Sequence, residues 1–241
     1  MLSEEIRARM AENVAQIRQK MAEAAKEAGR DPAEIRLCAA CKTRTVEEVR
    51  ASADLAIDLF GENHVQELVE KTDAGAYAGK PGHFIGHLQT NKVNKVVGRA
   101  AMIESVDSAR LLDKVARAAA GRSLVQDILI EINIGEEASK SGVREDDLWA
   151  LLEDAAARPS VRLRGLMAIP PADAAPEETR AFFARMRELL AKAAGRHYEN
   201  AVMDTLSMGM SGDYPAAIRE GATIVRIGTA IYGARDYSKK G

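Results

Sequence analysis

The chain has 241 residues, 46% of them apolar, and a formal net charge of −2. This length suits one large α/β domain or two small ones, and the near-neutral charge gives no reason to expect binding to nucleic acid or to an anionic membrane. No apolar run approaches the roughly 20 residues of a membrane span. Residues 1–28 are charged throughout, without the apolar segment of a signal peptide. Two cysteines and no export signal predict a cytoplasmic location.

The first predicted elements are a long helix and a short buried strand. Residues 3–28 predict a helix, because apolar side chains recur there at spacings of three and four, namely Ile6, Met10, Val14, Ile17, Met21 and Ala25. Residues 37–41 are small and apolar, which is typical of a strand buried on both faces. Thr45 and Glu48 form a capping-box pattern, so a helix is predicted to begin at Thr45.

The rest of the chain alternates between strand-like and helix-like segments. Strands are predicted at 57–63, 83–87, 102–106, 127–134, 161–169, 205–208 and 223–227. Helices are predicted at 64–71, 91–99, 109–120, 146–157, 177–194 and 214–220. Eight strands alternating with helices predict an α/β fold, a single (β/α)8 TIM-type barrel over residues 1–241. A doubly wound open sheet is the alternative, but no G-x-G-x-x-G follows the first strand. Few residues follow the eighth strand, so the N-terminal helix is predicted to cover the gap there.

The two cysteines and two of the histidines predict structural roles. Cys38 and Cys41 would point to opposite faces of a strand with Cα atoms about 10 Å apart, whereas a disulfide needs roughly 4.4–6.8 Å. No Cys/His cluster completes a metal site with them, so both are predicted to be buried thiols. His83 and His87 flank Ile85 on one strand face and are predicted to support the core rather than bind a metal.

A lysine, two glycine-rich loops and an arginine are predicted to meet at the C-terminal ends of the strands, where barrels place their sites. Lys42 follows the first strand. The loops at 207–213 and 228–233 follow strands seven and eight and offer glycines and hydroxyls, as phosphate sites do. Arg226 should face inward and needs an acceptor, either a carboxylate on a neighbouring strand or a ligand atom. Each feature alone also fits a solvated lysine or ordinary turns, but together they are typical of a phosphorylated aldehyde held as a Schiff base.

Motifs along nearly the whole chain resemble one family. They are Lys42-Thr43, Gly61-Glu-Asn63 with Gln66-Glu67, His83-Phe-Ile-Gly-His-Leu-Gln89 with Asn91-Lys92, Asn133-Ile-Gly-Glu136 with Ser139-Lys-Ser-Gly142, Gly165-Leu-Met-Ala-Ile-Pro170, Leu206-Ser-Met-Gly-Met-Ser211 with Asp213, and Val225-Arg-Ile-Gly-Thr229. The chain resembles the YggS/PROSC family of pyridoxal phosphate homeostasis proteins, which is related in fold to the barrel domain of alanine racemase.

The resemblance implies a role for each matching residue toward pyridoxal 5′-phosphate (PLP). Lys42 would form a Schiff base with PLP. Arg226 would face the pyridine nitrogen, keep it unprotonated and weaken the ring as an electron sink. Ser211, Gly228 and Thr229 would hold the phosphate. The pocket wall would include Asn63, His87 and Met167. His64 stands where the family usually has tyrosine, which puts a ring-stacking role at that position in doubt.

Carrier and enzyme are both compatible with this resemblance. The favoured prediction is a PLP-binding protein that buffers or delivers the cofactor, with apo-PLP enzymes as predicted partners and without turnover of its own. The alternative is a PLP-dependent amino-acid racemase. In the related racemases the second acid/base is a tyrosine from a C-terminal β-domain, and this chain is predicted to lack that domain and to be a monomer. A class I aldolase using Lys42 would leave Arg226 unexplained. Lys140, in the polar loop after strand five, is either a second PLP acceptor or gate, or a solvated lysine.

Overall fold

Eight parallel strands form a closed barrel in sequence order, and β1 pairs with β8 to close it. The computed structural model describes residues 2–137 and 140–234. The predicted (β/α)8 architecture is therefore confirmed. The strands are β1 Arg36–Ala40, β2 Leu59–Glu62, β3 Gly82–Phe84, β4 Met102–Val106, β5 Gln126–Ile132, β6 Val161–Ala168, β7 Ala201–Ser207 and β8 Ile224–Ile227.

Helices surround the barrel and follow its strands. They are α1 Glu4–Glu27, α2 Val46–Ser52, α3 Val65–Asp73, α4 Val93–Val96, α5 Ala109–Ala120, α6 Glu145–Ala156, α7 Pro176–Ala194, α8 Tyr214–Arg219 and α9 Thr229–Tyr232, with 3-10 turns at Pro32–Glu34 and Thr90–Lys92. No helix in these described ranges is both long and apolar enough to cross a membrane.

Several predicted elements differ in extent from those observed, and for one helix and one strand the backbone shows the reason. The helix predicted at 91–99 is a 3-10 turn followed by the single turn of α4, because Val97 leaves the helical conformation with a ψ of 127° and Gly98 follows with a left-handed φ of +79°. Strand β7 begins at Ala201, before the predicted start at 205. Met203 has a φ of +51° and the register with β6 shifts there. This irregularity breaks the alternation on which the prediction depended.

Helix α1 covers the region where the barrel closes, as predicted. Its N-cap is Ser3, whose hydroxyl accepts a hydrogen bond from the Ile6 amide at 3.4 Å. The predicted apolar stripe is buried from Met10 onward, whereas Ile6 is 36% exposed. Helix α1 packs against α8 and α9, and Asn13 Nδ2 donates to the Ile231 carbonyl at 3.0 Å. The N-terminal helix thus covers α9, the helix that directly follows β8.

The two cysteines lie on opposite sides of the barrel wall. Cys38 packs with Leu59 and Ile224 inside the barrel, whereas Cys41 belongs to the large core between strands and helices. Both thiols are free and buried. Burial raises the pKa of each thiol, and the nearby carboxylates of Glu104 and Glu62 raise it further. The predicted structural role is confirmed.

Candidate functional site

A cavity of about 820 Å³, measured with the space that opens to solvent, lies at the C-terminal end of the strands. This is the end at which barrel proteins place their sites. Six of the eight residues predicted to bind the cofactor line it together: Lys42, Asn63, Ser211, Arg226, Gly228 and Thr229. The closed order of strands brings them together, because β1 lies between β8 and β2.

Lys42 lies in the turn between β1 and α2. The capping box that begins α2 is present, with the Glu48 amide donating to Thr45 Oγ1 at 3.2 Å and the Thr45 amide donating to Glu48 Oε2 at 2.7 Å. Thr43 adopts a left-handed φ of +65°. The turn that carries Lys42 is therefore held at its α2 end by a helix cap.

The loops after β7 and β8 line the cavity next to the turn that carries Lys42, because β8 pairs with β1. The Ala230 amide donates to Ser211 Oγ at 3.3 Å, which joins the two loops. Asp213 Oδ1 accepts from the Met210 amide at 2.6 Å and holds the first loop in place. A Cβ atom at Gly228 would lie 2.9 Å from the Ala40 carbonyl oxygen, so this position needs glycine. The hydroxyls of Ser211 and Thr229 consequently share one wall.

Arg226 is 4% exposed and lies at the floor of the cavity. It donates from Nη1 to Ser207 Oγ at 2.7 Å and from Nη2 to the Ala168 carbonyl at 2.9 Å. The Ser207 hydroxyl donates in turn to Glu104 Oε2 at 2.5 Å. Arg226 thus donates to a hydroxyl and a backbone carbonyl rather than directly to a carboxylate. The Glu104 carboxylate is joined to it through the Ser207 hydroxyl.

Glu104 joins this network to His83. The His83 Nδ1 atom lies 2.6 Å from Glu104 Oε1. Burial opposes ionisation of Glu104, but hydrogen bonds from His83 and Ser207 and the charges of His83 and Arg226 outweigh it and lower the pKa of the carboxyl. Because an ionised carboxylate only accepts, His83 Nδ1 carries the proton. His83 therefore supports the core, as predicted.

Glu131 brings a second carboxyl group to the inner face of the barrel. It stands two residues after Leu129 on β5, and Leu129 packs inside the barrel with Met102 and Met167. Glu131 is 7% exposed. Burial raises its pKa to about 7, with a smaller contribution from Asp107 in the same direction and an opposing one from Arg226. The sequence analysis did not single out this residue.

Asn63 offers the cavity an acceptor that the described residues leave unused. Its Oδ1 atom is buried and has no hydrogen-bond partner in the described part of the chain. Such an atom costs free energy unless a ligand or water supplies a donor. An unpaired acceptor, two hydroxyl-bearing loops, a lysine and an arginine around one cavity fit a ligand that carries both phosphate and polar ring substituents.

His87 and Met167 do not line this cavity. Strand β3 ends at Phe84, and Gly86 passes so close to Asn63 that a Cβ atom there would lie 2.3 Å from the Asn63 carbonyl oxygen. The strand alternation therefore does not extend to His87, and the prediction that His87 supports the core is wrong. Its ring is 57% exposed, and its Nδ1 atom lies 3.1 Å from Ser141 Oγ. Met167 is fully buried inside the barrel, below Ile169. A binding role for either residue stays a prediction.

Two further side chains in the cavity wall were not predicted to line it: Arg44 and Ile85. Alternation along β3 could have identified Ile85, since it shares a face with His83. Arg44 donates to the Gly233 carbonyl at 2.6 Å and stacks over the Tyr232 ring, with its guanidinium carbon 5.4 Å from the ring centre. It ties the segment after β8 to the turn that carries Lys42.

The loop after β5 also reaches this end of the barrel. Lys140 Nζ donates to the Pro170 carbonyl at 3.2 Å and pairs with Glu137. Ser139 of the motif in this loop lies outside the described residues. Within the described ranges, no group of three or more His, Cys, Asp or Glu side chains is placed to hold a metal ion.

Comparison with known proteins agrees with this geometry. The family described as alanine racemase, N-terminal domain, matches residues 7–236. A pyridoxal phosphate homeostasis protein of Aquifex aeolicus is 40% identical over 226 residues, which cover 94% of this chain and 98% of that protein. The chain belongs to the pyridoxal phosphate homeostasis protein family. A second family member, from Escherichia coli, is 42% identical over 235 residues, 96% of this chain and 99% of that protein.

A solved structure of this family extends the comparison to a ligand. PipY of Synechococcus elongatus, solved with PLP bound, superposes with a TM-score of 0.81 at 31% identity, covering 93% of this chain and all of PipY. The resemblance to pyridoxal phosphate homeostasis proteins inferred from the sequence motifs is therefore confirmed at the level of family and fold.

Proposed function

We propose that this protein binds PLP through a Schiff base on Lys42 and buffers or delivers the cofactor in the cytoplasm, without turnover of its own. The observation that carries the proposal is the cavity that Lys42, Arg226 and the loops of Ser211 and Thr229 line together. The PLP-bound structure of PipY supports the choice of ligand. Apo-PLP enzymes are the proposed recipients, and the protein is proposed to act as a single-domain monomer.

Each residue of the cavity has a proposed part in holding PLP. Lys42 supplies the amine that condenses with the aldehyde. Ser211, Gly228 and Thr229 hold the phosphate through hydroxyl and backbone N–H groups. Arg226 directs its guanidinium, which stays charged at neutral pH, toward the pyridine nitrogen. This disfavours a proton on that nitrogen, and so weakens the electron withdrawal that PLP supplies to enzymes. Asn63 offers its unpaired oxygen to a donor on the ligand.

The composition of the cavity wall supports a carrier rather than a racemase. Of the described residues that line the cavity, the titratable ones are all basic: Lys42, Arg44 and Arg226. A two-base racemase needs a second acid/base opposite the lysine. Arginine is a poor proton acceptor because its pKa exceeds about 12.

The decisive experiment is a visible absorption spectrum after PLP is added to the purified protein. The wild type is expected to form a yellow adduct, and Lys42→Ala is expected to form none. Lys95→Ala, which removes an exposed lysine on α4, is the matched control and should behave as the wild type does. Borohydride reduction and mass spectrometry then locate the label. A label on Lys42 alone supports the proposal, whereas a label on Lys140 would make that residue a second acceptor. A wild type that forms no yellow adduct contradicts the Schiff base on Lys42.

Two further assays separate carrier from enzyme. The PLP-loaded protein is expected to restore activity to the apo form of a PLP enzyme. The Lys42→Ala variant, taken through the same loading step, is expected to restore none. Incubation of the loaded protein with single L-amino acids should yield no D-isomer. Racemisation that disappears in Lys42→Ala would replace the carrier with the racemase.

A further inference from the structure

Side chains of α3 hold the peptide groups on both sides of Lys42. The Cys41 carbonyl accepts a hydrogen bond from Lys71 Nζ at 2.8 Å. The Thr43 amide donates to Glu67 Oε2 at 2.7 Å. The first group belongs to the planar peptide before Lys42 and the second to the peptide after it. Together the two contacts restrict the direction in which the Lys42 side chain leaves the backbone.

Glu67 and Lys71, which we call the α3 brace, are themselves held in place. They stand four residues apart on one face of α3, and Lys71 Nζ lies 3.1 Å from Glu67 Oε2. The Lys71 side chain is 1% exposed and also donates to Glu62 Oε1 at 2.7 Å. The same oxygen accepts from Cys41 Sγ at 2.8 Å. A buried ammonium group needs such acceptors, and these contacts leave it little freedom to move.

The backbone of the turn requires this support. Thr43 has a φ of +65°, a left-handed conformation that is unusual for a residue other than glycine. Such conformations persist when the surrounding structure over-determines them, and they cluster at functional sites. The Arg44 amide closes the turn on the Cys41 carbonyl at 3.1 Å, which is the same oxygen that Lys71 binds. The α3 brace is thus the side-chain support of a strained turn.

We propose that Glu67 and Lys71 are positioning residues that direct Lys42 Nζ toward the aldehyde of PLP. This inference rests on the proposed function, because it concerns the step in which Lys42 Nζ forms the carbon–nitrogen double bond and one water molecule leaves. Neither residue of the α3 brace lines the cavity, so both act through the backbone. They contribute to the covalent part of PLP binding and leave the phosphate loops untouched.

The test compares PLP with pyridoxine 5′-phosphate, which carries an alcohol in place of the aldehyde and cannot condense with an amine. In Glu67→Ala the dissociation constant for PLP is expected to rise about tenfold, the effect of one lost charge-assisted hydrogen bond. Its dissociation constant for pyridoxine 5′-phosphate should not change. Lys71 keeps Glu62 and the Cys41 carbonyl as partners in this variant, so the protein should fold.

Two matched variants complete the series. Glu67→Gln keeps an oxygen that can accept from the Thr43 amide and is expected to recover most of the PLP affinity. Glu70→Ala removes an exposed glutamate from the same helix and should bind both ligands as the wild type does. In the cofactor-free protein, exchange of the Thr43 amide hydrogen should be faster in Glu67→Ala than in Glu70→Ala.

The outcomes distinguish this inference from the proposed function. Unchanged PLP affinity in Glu67→Ala overturns the positioning role while the yellow adduct of the wild type preserves PLP binding. Equal weakening of both ligands also overturns it, because general damage to the fold would do the same. A wild type that binds pyridoxine 5′-phosphate but forms no adduct with PLP refutes the Schiff base itself, and with it the positioning role.

Discussion

Arginines and carboxylates meet at both ends of the barrel, but in different surroundings. At the C-terminal end, Arg226 and Glu104 are 4% and 0% exposed, and hydrogen bonds through the Ser207 hydroxyl join them. At the N-terminal ends of β5 and β6, Arg162 donates to both carboxylate oxygens of Asp127, at 2.7 and 2.9 Å, from a side chain that is 49% exposed. Water screens the second set more than the first.

This difference indicates separate roles for the two ends. Exposed ion pairs typically contribute about 0–1 kcal/mol, so the N-terminal pairs add modest stability. Removing one partner of a buried pair costs about 3–5 kcal/mol, because the other charge is left uncompensated. Substitutions in the network below the cavity should therefore lower the free energy of unfolding strongly. The same network holds Arg226 in one orientation at the floor of the cavity.

The largest effect is expected from Glu104→Gln, which keeps the shape of the side chain and removes its charge. Unfolding by urea in the cofactor-free protein should show a loss of about 3–5 kcal/mol relative to the wild type. The difference between the two proteins should also depend on pH. The folded-state pKa of Glu104 is lowered, so its contribution is present above the unfolded value of about 4.3 and is lost as pH falls below it.

A loss under about 1 kcal/mol in Glu104→Gln would contradict the contrast between the two ends, since that is the range of an exposed pair. A difference between mutant and wild type that persists undiminished at pH 3 would show that the charge of Glu104 is not its cause.

A smaller effect of opposite sign is expected from Glu131→Gln. Burial raises the folded-state pKa of Glu131 to about 7, so its contribution to stability is fully present below the unfolded value of about 4.3 and is lost as pH rises through 7. Glutamine stays neutral at every pH. At pH 8 the variant should therefore be more stable than the wild type by up to about 3 kcal/mol, with a much smaller difference at pH 4.

Urea unfolding of wild type and Glu131→Gln at pH 4, 6 and 8 measures this directly, and Glu136→Gln, which alters an exposed glutamate, is the control. Parallel stability curves for wild type and Glu131→Gln would mean that Glu131 titrates like a solvent-exposed carboxyl group.

The smallest effect is expected from Asp204→Asn at the N-terminal end. Asp204 binds Arg164 at 2.5 Å, but its side chain is 42% exposed. The free energy of unfolding should fall by at most about 1 kcal/mol, and by less in concentrated salt, because exposed pairs are screened. A loss as large as that in Glu104→Gln would remove the distinction between the two ends.

Much of the fold follows from local patterns along the chain. The stripe at Met10, Val14 and Ile17 and the capping box at Thr45 predicted α1 and the start of α2, and the structure contains both. These patterns involve residues within a few positions of one another, so the helices that they predict can be recognised without the tertiary structure. Where a local irregularity intervened, as at Met203 in β7, the predicted boundary was wrong.

The candidate site was only partly predictable. Lys42 and Arg226 could be placed because each stands at the end of a strand or shares its alternation. His87 could not, because Gly86 redirects the chain against Asn63. Lys71 gave no signal in the sequence, where a lysine on a helix is expected in solvent, although its side chain is 1% exposed in the structure.

By itself the sequence determined the eight strand–helix units, the two buried thiols and the strand ends that carry the lysine and the glycine-rich loops. Periodicity and capping act over a few residues, and these features depend on nothing else. Only the tertiary structure decided which polar side chains meet below and behind the cavity. Ser207 binds Glu104 across 103 positions of sequence, and Lys71 binds the Cys41 carbonyl across 30. The register of the closed barrel creates such contacts, and a pattern confined to one segment cannot contain them.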